Sequence, residues 1–457
     1  MKTVNPATDE IIDEYKEDTA QTLQEKFLKC KEGQKSWARQ DVNDRLECLK
    51  KFSDLLSKPE NIKVLSEDLS LEMGKPIKEA QNEINGAVKR MKFFLTDSLK
   101  YLKKELIQED NGVEEFIDFS PLGVIANISA WNYPFLVGIN VFVPALLTGN
   151  AVLYKPSEFT LKTGRNIEKL LHESGIPKDV FTMIVGAGEI GQKILSLDID
   201  GVFFTGSYKT GKSIAIEVAP KLIPVGLELG GKDPLYVTDE INDIAKVADA
   251  AVEGVFYNNG QSCCSVERIY VHESVYDQFL ETFLKEVKNL RVGNPMDVDT
   301  QQGPLTRKEH LDFLENQVKD AISKGAEVLC GGKRIEGKGN FFSPTVLINV
   351  NHDMLVMKEE SFGPIIGIQK VSSDQEAIRL MNDTVYGLTS SVYTDNIQRG
   401  QLILDQIDSA TGYLNCCDRV SGYLPWAGRK NSGMGLTLSK YGVLPFIQTK
   451  SLHYIKK

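Results

Sequence analysis

Apolar positions recur at helical spacing over the first hundred residues. From residue 122 they contract into short continuous runs separated by amphipathic stretches. Leu46, Leu49, Phe52 and Leu56 fall on one helix face, and Leu69, Leu71 and Met73 run into Gly74-Lys75-Pro76, a stop followed by a restart. Residues 104–119 break this pattern. Two short runs there flank Asp110-Asn111-Gly112, and Asn-Gly suits the centre of a tight hairpin because both central residues need positive φ. Beyond them, 124–128, 151–154, 181–185 and 201–204 predict buried strands, with a helix over 160–173 between the second and third. After Glu228 a second series opens, with a helix over 244–256 and a strand over 269–271, and runs to about residue 430. The alternation predicts an α/β fold with two doubly wound, Rossmann-like domains.

Composition narrows the functional classes. A chain of 457 residues can hold two or three domains with real cores. A formal charge of −10 argues against nucleic acid or an anionic membrane as partner, while leaving a small anionic substrate open. No apolar run reaches the roughly 18 residues of a membrane span. Met1-Lys2-Thr3-Val4-Asn5-Pro6 lacks the apolar core of a signal peptide. The seven cysteines form no CxxC pair, which suits free thiols in a reducing cytoplasm better than a disulfide framework or a zinc site. The expectation is a cytoplasmic protein with no metal centre.

Candidate chemistry centres on Gly260-Gln261-Ser262-Cys263-Cys264-Ser265, a polar loop after the helix over 244–256. A thiol there stays accessible, as a nucleophile must, although most free cysteines are buried small hydrophobes. Upstream, Glu228 stands in Leu227-Glu228-Leu229-Gly230-Gly231-Lys232. Two glycine patterns compete for attention. Gly186-Ala187-Gly188-Glu189-Ile190-Gly191 matches the dinucleotide fingerprint only loosely, because that fingerprint belongs to the first strand–helix turn of its domain. Gly206-Ser207-Tyr208-Lys209-Thr210-Gly211-Lys212-Ser213 matches the P-loop pattern, follows a strand and opens a helix. It makes a P-loop NTPase or kinase the competing function. No apolar strand ending in Asp is evident to hold Mg²⁺.

Further segments follow in a recognisable order: Asn5-Pro6-Ala7-Thr8, Trp131-Asn132-Tyr133-Pro134, Lys155-Pro156-Ser157-Glu158, Phe204-Thr205-Gly206-Ser207, the Glu228 segment, Gly260-Gln261-Ser262-Cys263, Glu360-Ser361-Phe362-Gly363-Pro364 and Ser432-Gly433-Met434-Gly435. In these the chain resembles the aldehyde dehydrogenase superfamily nearly end to end. The resemblance implies an NAD-binding domain over 1–102 and 122–229, a catalytic domain over 230–430, and a small β oligomerisation element over 103–121 and 440–457 that assembles a homodimer or homotetramer. It implies NAD-dependent oxidation of a small aldehyde. Cys263 is then the nucleophile, the Asn132 amide and the Cys263 N–H hold the oxyanion, and Glu228 activates water on the thioester. Members that acylate coenzyme A generally lack that carboxylate, so Glu228 favours release of a free acid.

The resemblance also implies cofactor contacts at Ile128, Trp131, Lys155, Ser157, Glu158, Gly188, Thr205, Gly206, Ser207, Gly211, Leu229, Glu360 and Phe362. Glu158 beside the adenosine ribose favours NAD; Lys155 leaves NADP open. Tyr133, Val137, Asn140 and Phe142 are expected at the substrate tunnel, with Phe256 and Ser262 nearer the nucleophile. Cys264 lines the site or pairs with Cys263 in a disulfide. Arg419 either grips a distal carboxylate or is a solvated loop arginine. Overall similarity leans toward the semialdehyde-oxidising branch, such as succinate semialdehyde dehydrogenases. Three places depart from the family pattern: Ala130 stands where Pro is usual, Pro425-Trp426-Ala427-Gly428-Arg429-Lys430 replaces a Phe-Gly-Gly run, and Leu436-Thr437 stands where Arg-Glu is common.

Overall fold

Two mixed sheets, each dominated by parallel strands, organise the chain in a computed structural model that describes residues 1–456. In the first, Phe181–Met183, Ala151–Lys155, Val124–Ile128, Gly201–Thr205 and Val225–Glu228 lie side by side in that order, all parallel. The chain starts at the central strand, builds outward on one side, then returns to build on the other. The winding therefore reverses between Val124–Ile128 and Gly201–Thr205, the switch point at which open α/β sheets bind ligands beyond their strand carboxyl ends. Gly433–Met434 closes the Val225–Glu228 edge in antiparallel register, Gly433 opposite Glu228.

The second sheet places Asp233–Val237 beside Val266–His272, continuing to Ile365–Val371 and Thr345–Ile348 on one side and to Thr389–Tyr393 and Thr411–Leu414 on the other. Only the edge strand Glu327–Cys330 runs antiparallel. Its core includes Phe256, fully buried with its ring 6.3 Å from that of Phe283.

Helices cover the first sheet as the apolar spacing dictates. Leu46, Leu49, Phe52 and Leu56 of Val42–Leu56 are all buried. Phe142 of Pro134–Leu147 packs on Phe52, Tyr154 and Phe181 at ring separations of 6.1, 6.0 and 5.5 Å, each burial worth about 1.5–3 kcal/mol. The helix Pro59–Met73 ends on Gly74, whose φ of +83° closes its last turn, and the chain restarts in Ile77–Thr96. The hairpin forms as its sequence requires: Asn111 and Gly112 have φ of +48° and +82°, joining Glu105–Asp110 to Val113–Pro121. Ile447–Ile455 then pairs along the whole of Val113–Pro121, giving a three-stranded sheet whose outer strand is exposed throughout. Among the described residues no helix is long and apolar enough to cross a membrane.

Candidate active site

A cleft of about 1100 Å³ runs along the carboxyl ends of the first sheet's strands, walled on its far side by loops of the second. Cys263 lines it, partly buried, on the loop that feeds Val266–His272. Three successive left-handed residues turn the chain into this loop: Asn258, Asn259 and Gly260, with φ of +54°, +57° and +69°. Such a run is costly unless its neighbours hold it. Here they do. Asn259 Nδ2 donates to the Gly303 and Pro304 carbonyls at 2.6 and 3.0 Å. The Asn258 N–H donates to Glu79 at 2.7 Å, and the Thr306 N–H to Gln261 Oε1 at 3.0 Å. A side chain at position 260 would meet the Gly363 carbonyl at 2.4 Å, which is why glycine opens the loop.

Asn132 meets this loop from the segment that follows the first sheet's central strand, Val124–Ile128. Its Nδ2 donates one hydrogen to the Gln261 carbonyl at 3.1 Å, leaving the other for the cleft that it lines. Its own carbonyl accepts from Lys75 Nζ at 2.7 Å, and Lys75 is itself paired with Glu83 in full burial. Glu83 also accepts the Phe135 N–H at 2.9 Å, at the start of a helix with no side-chain cap of its own. One buried ion pair thus fixes both the Asn132 backbone and the first turn behind it. Cys264 donates its thiol to Asp418 at 2.8 Å, and all seven cysteines are free thiols.

Glu228 ends its strand facing the same cleft. Its carbonyl accepts the Gly206 N–H at 3.0 Å and its carboxylate accepts from the Thr437 hydroxyl. Burial pushes this carboxyl up to about 7, while Thr437, the Arg90 charge and Thr205 hold it down.

The strand ends on the other flank form a cradle for an elongated anionic molecule. Ser207 caps Tyr208–Val218, accepting the Thr210 N–H at 3.3 Å, so the positive end of that helix opens beside Gly206. Thr205, Gly206, Ser207 and Leu229 line the cleft with Trp131 and Phe362, whose rings meet edge to face at 5.5 Å. Glu360, just before the second sheet's strand Ile365–Val371, accepts the Gly231 N–H at 3.2 Å; a Cβ at Gly230 would strike its carboxylate at 2.1 Å. Burial, reinforced by the nearby Glu267 charge, pushes Glu360 up to about 8. A buried pair anchors this segment: Glu267 takes Lys232 Nζ at 2.5 Å and the N–H groups of Ser361 and Phe362 at 2.7 and 2.9 Å. Phe362 needs that support, for its φ is +50°.

Lys155, Ser157 and Glu158 follow the next strand, past the end of the main cleft. Glu158 Oε2 lies 3.9 Å from Lys155 Nζ and 3.2 Å from Ser157 Oγ. Ile128 is buried at its strand end, and nothing crowds the space where a Gly188 side chain would stand. This set fits a dinucleotide: a helix amino end for phosphates, carboxylates for ribose hydroxyls, and side-chain-free glycines where the ligand passes close.

Several expectations need correcting. Phe256 and Phe142 are core residues and line no tunnel; Tyr257, next in the chain, lines the cleft instead. Gly211 packs beneath Leu229, where a Cβ would meet its side chain at 2.5 Å. That contact accounts for the second glycine of the P-loop pattern, and Lys212 beside it is exposed on the outer face of its helix. Arg419 is 66% exposed and lies 3.7 Å from Glu253, the arrangement of a solvated loop pair. Tyr133, Val137, Asn140, Ser262 and Cys264 do line the cleft. Arg90, Asp418 and the Lys75–Glu83 and Lys232–Glu267 pairs carry no signal in the sequence, because charged residues on amphipathic stretches read as solvated until the fold buries them; Thr437 stands out there only as a departure from the family pattern.

Comparisons agree with this geometry over nearly the whole chain. The model of the aldehyde dehydrogenase family matches residues 1–452. The chain is 32% identical over 449 residues to a succinate-semialdehyde dehydrogenase [NADP(+)] of Deinococcus radiodurans, covering 98% of this chain and 93% of that protein. It is 32% identical over 462 residues to the peroxisomal aminoaldehyde dehydrogenase 1 of Pisum sativum, covering 98% and 91%. Among solved structures, the betaine aldehyde dehydrogenase of Staphylococcus aureus in complex with NAD+ superposes with a TM-score of 0.95 at 30% identity, covering 100% of this chain and 92% of that one.

Proposed function

The chain belongs to the aldehyde dehydrogenase family and is an NAD(P)-dependent aldehyde dehydrogenase; we propose that Cys263, Asn132 and Glu228 carry its reaction and that the product leaves as the free carboxylic acid. The Cys263 thiolate adds to the aldehyde carbon, forming a C–S bond and placing negative charge on the former carbonyl oxygen. The free hydrogen on Asn132 Nδ2 and the Cys263 N–H donate to that oxygen, a stabilisation strongest once the charge has formed. A nicotinamide dinucleotide, held at its nicotinamide end by Glu360 and Phe362, would supply the hydride acceptor that the step from adduct to thioester requires. Glu228 then takes a proton from water, the hydroxide oxygen adds to the thioester carbonyl, the C–S bond breaks, and Cys263 is regenerated as the acid departs. A carboxyl near 7 suits that base, poised between binding and releasing a proton at neutral pH.

The observation that carries this reading is the convergence of three groups from separate elements, Cys263, the hydrogen-bonded Asn132 amide and Glu228, on one cleft beside the dinucleotide cradle. Thr205, Gly206 and Ser207 would hold the pyrophosphate, Glu158 and Lys155 the adenosine ribose, and Glu360 and Phe362 the nicotinamide end. We assign the exposed three-stranded sheet of Glu105–Asp110, Val113–Pro121 and Ile447–Ile455 to assembly of a homo-oligomer, since its edge offers unpaired backbone groups.

Rapid-quench and steady-state kinetics test the mechanism. Cys263→Ala should give no NADH. Glu228→Gln should release one burst of NADH per site and then stall with the thioester formed. Steady wild-type turnover in Glu228→Gln, or any enzymatic NADH from Cys263→Ala, would overturn the assignment.

A further inference from the structure

The substrate tunnel contains a cation with no ion-pair partner. Arg90 projects from Ile77–Thr96, seven residues after Glu83, and lines the cleft with Leu136, Val137 and Asn140 of the facing helix Pro134–Leu147. No carboxylate forms a salt bridge with it among the described residues. Its Nη1 donates to the Leu136 carbonyl at 3.3 Å and to Asn140 Oδ1 at 3.1 Å. No acceptor lies within hydrogen-bonding reach of Nε or Nη2, nor of Asn140 Nδ2, and none of these atoms is sealed from the cleft. A guanidinium taken out of water with part of its donor set unmet is expensive, and such groups are normally paired. After burial, the groups that act on Arg90 most are Glu228, Cys264, Glu83 and Cys263, so its charge is felt at the reacting centre across the cleft that they share.

The geometry points to Arg90, with the Asn140 amide that it orients, as the grip for a carboxylate at the far end of the substrate. The enzyme's preferred aldehydes are then carboxylate-bearing ones, ω-oxo acids. Planar guanidinium donors and an adjacent amide N–H match the paired oxygens of a carboxylate, which a neutral aldehyde cannot engage. The inference rests on the proposed role of Cys263, which fixes the position of the aldehyde end. Arg419, the arginine first suspected from the sequence, is already paired with Glu253 in solvent. Besides Glu83, Glu228, Glu309 and Glu360, two further acidic residues line the cleft. Glu253 faces Arg419, and Asp418 accepts the Cys264 thiol with its carboxyl raised by burial, so neither opposes Arg90 directly.

The test compares kcat/KM for succinate semialdehyde, its longer ω-oxo homologues, butanal and an ω-aminoaldehyde, in wild type, Arg90→Gln and Arg90→Lys. Wild type should favour one ω-oxo acid over butanal. Arg90→Gln should shrink that ratio by roughly ten- to a hundredfold, mainly through KM, as loss of a charged hydrogen-bond pair predicts. Arg90→Lys should keep part of it. The ratio is the readout, because any effect of Arg90 on Glu228 alters both substrates alike. A wild-type preference for butanal or the aminoaldehyde, or an unchanged ratio in Arg90→Gln, would overturn the inference. NADH formation from butanal in each protein reports separately on the Cys263 chemistry.

Discussion

Thr437 donates its hydroxyl to the carboxylate of Glu228, across the edge where Gly433–Met434 pairs with the strand that Glu228 ends. Thr437 stands in the segment Leu436-Thr437, one of the places where the sequence departs from the pattern that it otherwise resembles. A donor to the ionised carboxylate favours the charged form, offsetting part of the upward push from burial.

Thr437→Val should therefore move the ascending limb of the kcat–pH profile, set near 7 by Glu228, to higher pH. Removing a donor weakens the ionised form, so the base stays protonated longer as pH rises. Deacylation should fall about threefold at pH 7 and on the order of fivefold well below it, the full factor given by about 1 kcal/mol. The burst of NADH should persist, and Thr437→Ser should restore the profile. A pH profile unmoved in Thr437→Val would sever the hydroxyl from Glu228.

Cofactor choice should sit with Glu158. Its carboxylate is only 3.9 Å from Lys155 Nζ, so the carboxylate can accept from ribose hydroxyls and the ammonium donate to them, while the carboxylate repels a 2′-phosphate. Burial lowers the Lys155 pKa, which weakens the attraction that it could offer such a phosphate. Glu158→Gln should raise kcat/KM with NADP relative to NAD by about tenfold or more, or about 1.4 kcal/mol of differential binding. A ratio that does not move would shift attention to Lys155.

Lys212→Ala should leave NADH production within about a factor of two of wild type. Its side chain is exposed on the second turn of a helix whose first turn faces the cleft. Surface substitutions of this kind usually cost no more than about 0.5 kcal/mol. A large loss of turnover would return phosphate binding by that lysine to consideration.

The helix over 244–256, the Gly74 stop and the Asn111-Gly112 hairpin were legible because local rules decide them: apolar spacing, a positive-φ glycine and a turn dipeptide. The order of motifs located Cys263, Glu228 and Asn132. What stayed hidden depends on tertiary burial. Phe256 and Phe142 read as tunnel residues because an apolar side chain next to a site has the same sequence signature as one beneath it. The P-loop pattern misled for a related reason, since Gly211 is small for contact with Leu229, a residue 18 positions away that no local pattern connects to it. Arg90 is the sharpest case. At helical spacing from Glu83 it looks like an exposed charge, and only the packing of two helices turns it into the cleft.

The Lys232–Glu267 pair yields the last prediction. Glu267 is the shared acceptor for Lys232 Nζ and for the backbone of Ser361 and Phe362, so it connects the strand after Glu228 to the segment carrying Glu360. Breaking one side of a buried pair leaves an uncompensated charge and typically costs about 3–5 kcal/mol. Glu267→Gln keeps an acceptor oxygen for the backbone but leaves Lys232 charged and unpaired. Thermal unfolding should begin at a clearly lower temperature. Because Phe362 holds a left-handed conformation only with this support, KM for the dinucleotide should also rise by about tenfold, with kcat less affected. A stable Glu267→Gln variant with unaltered cofactor KM would show that Glu360 and Phe362 are held by something else.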